Sequence, residues 1–290
     1  MSISRQNLSI VIVTLKSEQI IHRCIESINH NIPIIVVENS DNKKFKNNLE
    51  TNYKNVQCVL SGQNLGMGPG NNLGIKLTKT DFVFIMNPDT ILELNTLDEI
   101  FLASKTLDDF SILAPISSDP NFPNYGRYNK KKIVKEKRPF KVDYIDGFAM
   151  ILNKKKFRNN NYFDENFFMY LENDDLCRRV YNKGGSIYVV PNAIINHAGA
   201  KAVDSRFSEE VELSRNWHWI WSKFYFNKKN FGIHSAIKSG FPSYCSSIIK
   251  FLFFSILGNK FKKRKYFNRA SGFYNAFMGK SSWYRPNLKD

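Results

Sequence analysis

Asn87-Pro-Asp-Thr90 follows directly on the apolar run Phe82–Met86, which places one carboxylate, Asp89, at the end of a predicted strand. A single carboxylate there suits Mg²⁺ or Mn²⁺, because such an ion takes few protein ligands and completes its shell with phosphate oxygens and water. Asn, Pro and Asp are also ordinary turn residues, so context has to decide. His197 ends a second apolar run, and its neutral imidazole is the candidate second ligand. His22, His30, His218 and His234 have no comparable setting.

Two further clusters carry residue types suited to binding or catalysis. Asn64 to Gly74 reads NLGMGPGNNLG, a glycine-rich turn opening a predicted helix. Backbone amides at such a turn can receive phosphate or ribose oxygens. It matches neither the dinucleotide fingerprint nor a Walker loop, and tight packing is the competing explanation for its glycines. Phe167 to Arg179 reads FFMYLENDDLCRR and gathers Glu172, Asp174 and Asp175 at a predicted helix start. The helix dipole alone favours acidic residues there. Crowded carboxylates also raise one another's pKa, which suits a general base. Arg178 and Arg179 either balance this charge or are simply solvated.

The elements that must position these clusters are legible as hydrophobic runs. Leu8–Thr14, Ile32–Glu38, Val56–Leu60 and Phe82–Met86 read as buried parallel strands. Glu18–Asn29, with Ile21, Cys24, Ile25 and Ile28 on one face, and about Gly66–Leu77 read as helices between them. This alternation predicts an α/β fold: a mostly parallel central sheet with helices on both faces. Ligands of such sheets sit at the carboxyl ends of the strands, which groups Thr14, Glu38, the turn after Leu60 and Asn87–Thr90. Farther on, Ser117–Lys141, with the basic run Lys130–Lys132, reads as a long surface loop. Val142–Leu152 returns to strand character, and Glu172–Lys183 is a predicted helix stopped by Gly184-Gly185. Ser186–Val190 and Ala193–His197 read as two strands.

Bulk composition narrows the class. A chain of 290 residues holds one large α/β domain plus an appendage, or two modest domains. Four cysteines, far apart and without a CxxC pair, argue against zinc and a disulfide framework and fit a reducing cytoplasm. The first residues lack the pattern of a signal peptide, and no run approaches the ~18 apolar residues of a spanning helix.

The net charge is +16, and Ser205–Asp290 holds 16 basic against 4 acidic residues, 16 − 4 = +12 of it. Such asymmetry predicts an anionic partner for the tail. Ile248–Leu257 followed by the basic Lys260–Lys265 is the pattern of a segment lying on an anionic membrane surface. An aromatic stripe packed as ordinary core is the alternative. No RNA-binding motif accompanies the basic and aromatic residues, so nucleic acid is not an expected partner.

Taken in order, these segments resemble the family 2 glycosyltransferases, particularly their bacterial rhamnosyltransferase-like branch. The resemblance rests on Ser9–Thr14, Ile35–Ser40, Asn64–Gly66 with Asn71–Ile75, Asn87–Thr90, Asp146–Met150, Phe163–Tyr170, Glu172–Arg178 and His197, over about residues 8 to 200. It implies a GT-A fold in residues 1–204, with a nucleotide-binding half of about 1–90 and an acceptor half of about 91–204, followed by a basic, aromatic, helical region 205–290. It further implies an inverting transfer from a UDP- or dTDP-sugar to a saccharide or lipid-linked glycan. Thr14, Glu38, Asn64, Gly66, Asn71, Asn72 and Asn87 would then line the nucleotide site, with Asp89 and His197 on Mg²⁺ or Mn²⁺. The family's Glu-Asp pair appears here as Glu172-Asn173, and an Asn cannot act as base. Glu172 is therefore the first expected base and Asp174 the second. The alternative is a non-catalytic, membrane-associated assembly subunit that binds nucleotide-sugar. The expected location is the cytoplasm, against the inner face of the membrane.

Overall fold

The computed structural model describes residues 2–28, 31–126, 136–157, 159, 161–197, 199 and 202–288; the basic run Lys130–Lys132 lies outside them. The elements are β1 (Leu8–Thr14), α1 (Ile21–Glu26), β2 (Ile34–Glu38), α2 (Lys43–Asn52), β3 (Val56–Leu60), α3 (Met67–Leu77), β4 (Phe82–Met86) and β5 (Thr90–Leu92). They continue with α4 (Thr96–Thr106), β6 (Ile112–Ser117), β7 (Tyr125–Gly126), β8 (Phe140–Lys141), β9 (Tyr144–Ile145), β10 (Ala149–Asn153), α5 (Glu172–Asn182) and β11 (Ile187–His197). Three long helices, α6 (Ser208–Phe231), α7 (Ile233–Ile256) and α8 (Lys260–Phe277), close the chain. Two compact units result: Met1–Asp164 with Asn173–Ala202, and Glu165–Glu172 with Val203–Asp290.

The first unit is built on a sheet in the order β3-β2-β1-β4-β10-β6-β11-β5, with β8 added to β11. The parallel pairs are β1 with β2 and β4, β2 with β3, and β6 with β11. β10 enters antiparallel between β4 and β6, so the sheet is mixed. Period-two alternation on β1 explains the two covered faces. Ile10 and Ile12 join the core holding Cys24, Ile25, Phe45 and Leu49 of α1 and α2. Val11 and Val13 join Ile75 of α3 and Leu176, Cys177 and Val180 of α5.

Several elements depart from the sequence reading for identifiable reasons. The helix α2 buries only Phe45 and Leu49, too sparse a stripe to announce itself, and is started by Asn42, whose side chain accepts from the Phe45 amide at 3.1 Å. Val142–Leu152 divides into β9 and β10 around Asp146-Gly147. The two strands expected before His197 are one, with the register against β6 shifting between Val190 and Ile194. Pro191, which has no N–H for the ladder, sits in that interruption.

The second unit packs α6, α7 and α8 together. Trp217, Ile220, Trp221 and Phe224 of α6 are buried with Ala236, Phe273 and Ala276. A Cβ on Gly272 would stand 2.4 Å from the Trp217 carbonyl oxygen, so α8 can approach α6 this closely only with glycine there. Most of the aromatic stripe is thus core of its own helical unit. Among the described residues no helix is long and apolar enough to cross a membrane.

Candidate active site

β1 continues to β2 and β3 on one side, while β4 lies on its other side. The strand order therefore reverses between β1 and β4, where open α/β sheets form a crevice at the carboxyl ends. Thr14 ends β1 in register with Glu38 of β2, and Asn87 and Asp89 follow β4.

The Glu38 carboxylate is fully buried. One oxygen accepts from the Ser40 amide at 2.9 Å and from the Ser40 hydroxyl, and the other from the Asn42 amide at 2.7 Å. It braces the loop that starts α2. Thr14 donates its hydroxyl to the Val37 carbonyl at 3.4 Å. Asn39, which sequence reasoning did not single out, donates to the Gly66 carbonyl at 3.1 Å and so anchors the glycine-rich turn to β2. Asn64 accepts from the Gly66 amide at 3.1 Å.

The glycines of that turn divide by role. Gly66 has φ +81° just before α3, a conformation that favours glycine. Gly70 and Gly74 instead let α3 press on β1: a Cβ would lie 3.1 Å from Val13 at Gly70 and 2.4 Å from Val11 at Gly74. Asn71 and Asn72 are both buried, but differ. Asn72 donates to the Phe163 carbonyl at 2.9 Å and accepts from its amide at 3.0 Å. The buried Oδ1 of Asn71 has no hydrogen-bond partner among the described residues, and neither has that of Asn87. Buried amide oxygens without partners are uncommon, and each is an acceptor a ligand hydroxyl or amide would satisfy.

Asp89 and His197 meet. Nε2 of His197 stands 3.3 Å from Oδ1 of Asp89. The pairing of β5 with β11, with Thr90 opposite His197, brings them together. The imidazole lies flat on Phe148 at 4.1 Å between ring centres, which fixes its plane. Among the described residues no group of three or more His, Cys, Asp or Glu side chains is placed to hold a metal. A carboxylate, an imidazole and the partnerless Asn87 amide oxygen nearby in sequence fit an ion that shares its shell with a diphosphate, not a full protein cage.

At the start of α5, Asp174 is partly buried and its carboxyl is pushed up to about 6, chiefly by burial and then by the neighbouring Asp146. Asp146 is itself raised by burial and held back by His197, so it lies electrostatically between the two predicted sites. Asp146–Met150 carries part of the family resemblance, but the resemblance assigns Asp146 itself no role. Asn173 is buried and donates to the Ile145 carbonyl at 2.9 Å, so it secures the Asp146 segment against α5. Asp175 is fully buried and ion-paired to Arg179 at 2.9 Å. Glu172 belongs to the second unit and is buried there, after Tyr170 and Leu171, whose φ values of +70° and +64° are strained for residues with side chains. A cavity of about 570 Å³ lined by Asp109, Lys156, Arg179 and Lys183 includes none of the predicted site residues.

The sequence model of glycosyl transferase family 2 matches residues 9–171, more than half of the chain. The chain belongs to glycosyl transferase family 2. This family 2 enzyme is 26% identical over 260 residues to the rhamnosyltransferase WbbL of Escherichia coli K12, covering 79% of this chain and 98% of that one. It is 24% identical over 227 residues to the low-salt glycan biosynthesis hexosyltransferase Agl10 of Haloferax volcanii, covering 72% and 69%. Its fold is similar to that of the mannosyltransferase PcManGT of Pyrobaculum calidifontis, solved in complex with GDP-Man and Mn²⁺, with a TM-score of 0.57, 10% identity and coverage of 96% and 87%.

Proposed function

We propose that this family 2 enzyme transfers a rhamnosyl or hexosyl group from a UDP- or dTDP-sugar to a hydroxyl of a saccharide or lipid-linked glycan, with inversion. The observation that carries this reading is the pairing of Asp89 with His197 beside the switch point of the sheet. Its relatives named for rhamnosyl and hexosyl transfer support the sugar class, and the fold neighbour solved with GDP-Man and Mn²⁺ supports a nucleotide-sugar and a divalent ion.

In this reading Thr14 and Glu38 border the base, and Asn71 offers its Oδ1 to a ribose hydroxyl. Asn72 holds α3 against Phe163 so that Asn71 faces the ligand. Asp89 and His197 would hold Mg²⁺ or Mn²⁺, which when bound neutralises charge on the leaving diphosphate as a Lewis acid. We assign the base to Asp174 ahead of Glu172, because its pKa of about 6 combines an ionised fraction at neutral pH with useful basicity. The acceptor oxygen forms its bond to the anomeric carbon as its proton passes to Asp174. The anomeric bond to the diphosphate breaks, and the electron pair leaves with the diphosphate. Asn173 cannot take that proton, and its bond to Ile145 gives it a positioning role. The reaction would take place in the cytoplasm, on the inner membrane face.

Calorimetry with UDP and dTDP, in Mn²⁺ and in EDTA, on wild type and Asp89→Ala tests the donor site. Metal-dependent binding of one nucleotide, lost in the variant, is the expected result. If UDP, dTDP, GDP and CMP all fail to bind, the reading is wrong. Binding without turnover on any acceptor would favour the assembly-subunit alternative.

A further inference from the structure

We infer that the end of the α7–α8 hairpin is a docking surface for an anionic lipid bilayer. On α7, Ile249, Leu252, Phe253 and Ile256 recur at helical spacing on one face, and all are exposed, as is Leu257 beyond the helix. Ile256 is 87% exposed. The neighbouring side of α7 is the one used internally: Phe251 packs on Phe267 at 5.8 Å and Phe254 stacks on Tyr266 at 5.6 Å. The exposed stripe is therefore left over after the helices have packed. A contiguous apolar patch of this kind marks an interaction site.

Charge selects the occupant. From residue 233 to residue 289 the sequence contains no Asp or Glu. Arg264 and Lys265 are used within the unit, paired to Glu209, Glu210 and Glu212 of α6. Lys250, Lys262 and Lys263 instead lie over the rings of Tyr266, Phe254 and Phe251 at 5.3, 4.9 and 5.9 Å. Lys260 is exposed at the start of α8, and none of the four has an ion pair with a carboxylate among the described residues.

Lysines around a bulky apolar face match a bilayer with anionic headgroups, since the side chains enter the acyl boundary while the ammonium groups stay at headgroup level. A second copy of this chain is the weaker fit, because a two-fold contact through this face would set lysines against lysines. No described helix is long and apolar enough to cross, so the hairpin end lies on the bilayer. The docking rests on the proposed transfer only for its purpose, which is to hold the enzyme at a membrane-borne acceptor.

The test is flotation of the full chain with phosphatidylcholine vesicles with and without phosphatidylglycerol, at low and high salt. Wild type is expected to float only with the anionic vesicles and to be released by salt. Lys260→Gln with Lys262→Gln and Lys263→Gln should weaken binding on the order of 100-fold, about fivefold for each lysine near the surface. Phe253→Glu with Ile256→Glu should abolish it, while both variants keep the wild-type melting temperature and nucleotide affinity, since the changed residues are exposed. The inference fails if wild type does not float, or if the double Glu variant floats equally well. It also fails if that variant merely converts a dimer to a monomer by size-exclusion chromatography without any flotation. Nucleotide binding is read separately: flotation without it sinks the transfer reaction alone, and nucleotide binding without flotation sinks the docking alone.

Discussion

Nε2 of His197 stands 3.3 Å from Oδ1 of Asp89 and is held in plane by Phe148. Since both groups would bind one ion, Asp89→Ala should lower kcat/KM by roughly 100- to 1000-fold, the scale for losing one group that stabilises transition-state charge. His197→Ala should act mainly on the metal, raising the Mn²⁺ concentration needed for half-maximal rate by about 10- to 100-fold. A Mn²⁺ titration of both variants distinguishes them. An unchanged Mn²⁺ requirement in His197→Ala would remove it from the ligand set.

Asp174 titrates near 6, and the groups facing it are Asp146, Asp175, Asn173, Tyr144 and Cys177. As the proposed base it must be ionised, so kcat/KM should rise as pH increases through about 6 and level off above. Asp174→Asn should lower kcat by about 100- to 10,000-fold and abolish that limb. Glu172→Gln should leave the limb in place. The opposite pattern would move the base to Glu172.

The same carboxyl affects stability with a definite sign. Its folded value of about 6 exceeds the ordinary 3.8, so between these pH values the folded chain keeps a proton the unfolded chain has released. Stability from this group is therefore fully present below about 4 and is lost as pH rises through 6. Asp174→Asn should consequently raise stability at pH 7.5 by up to about 3 kcal/mol and do nothing at pH 3. Thermal melts at the two pH values check this apart from activity.

Asn71 and Asn72, adjacent on α3, should separate cleanly. Asn72→Ala leaves the Phe163 amide and carbonyl without partners and should cost roughly 2–3 kcal/mol of folding stability. Asn71→Ala removes an oxygen with no partner among the described residues, so stability should change by less than about 1 kcal/mol. Nucleotide affinity should instead fall about tenfold, the scale of one hydrogen bond. Denaturant melts and calorimetry on the two variants supply both readings.

Gly74→Ala forces a Cβ to within 2.4 Å of Val11, a contact that must push α3 off β1. The expected loss is about 1–3 kcal/mol. Gly70→Ala, with 3.1 Å to Val13, should cost less. Equal melting temperatures for the two variants would overturn this packing role.

β1, β2, β3 and β4 were legible because each is a short, predominantly apolar run, interrupted inside only by Ser9 in β1 and Gln57 in β3. The polar residues after them, Thr14, Glu38 and Asn87–Thr90, could be grouped from strand polarity alone. α2 was not legible, because a surface helix that buries two side chains leaves almost no period in the sequence. The interrupted β11 was also hidden, since a proline reads as a break whether or not the strand resumes.

Sequence determined the residue types available for binding and catalysis, and the charge of the C-terminal region, because both are written in composition and local order. Tertiary structure decided how they are used. Asn71 and Asn72 look interchangeable in the chain, yet only the position of Phe163 commits Asn72 to the backbone and leaves the Asn71 oxygen over. Asp174 owes its shift first to burial and then to Asp146, which comes from a distant bend. Lys262 and Arg264 are two residues apart, yet Arg264 alone finds the glutamates of α6. In each case the property depends on distance and desolvation between groups far apart in sequence, and those quantities exist only once the chain has folded.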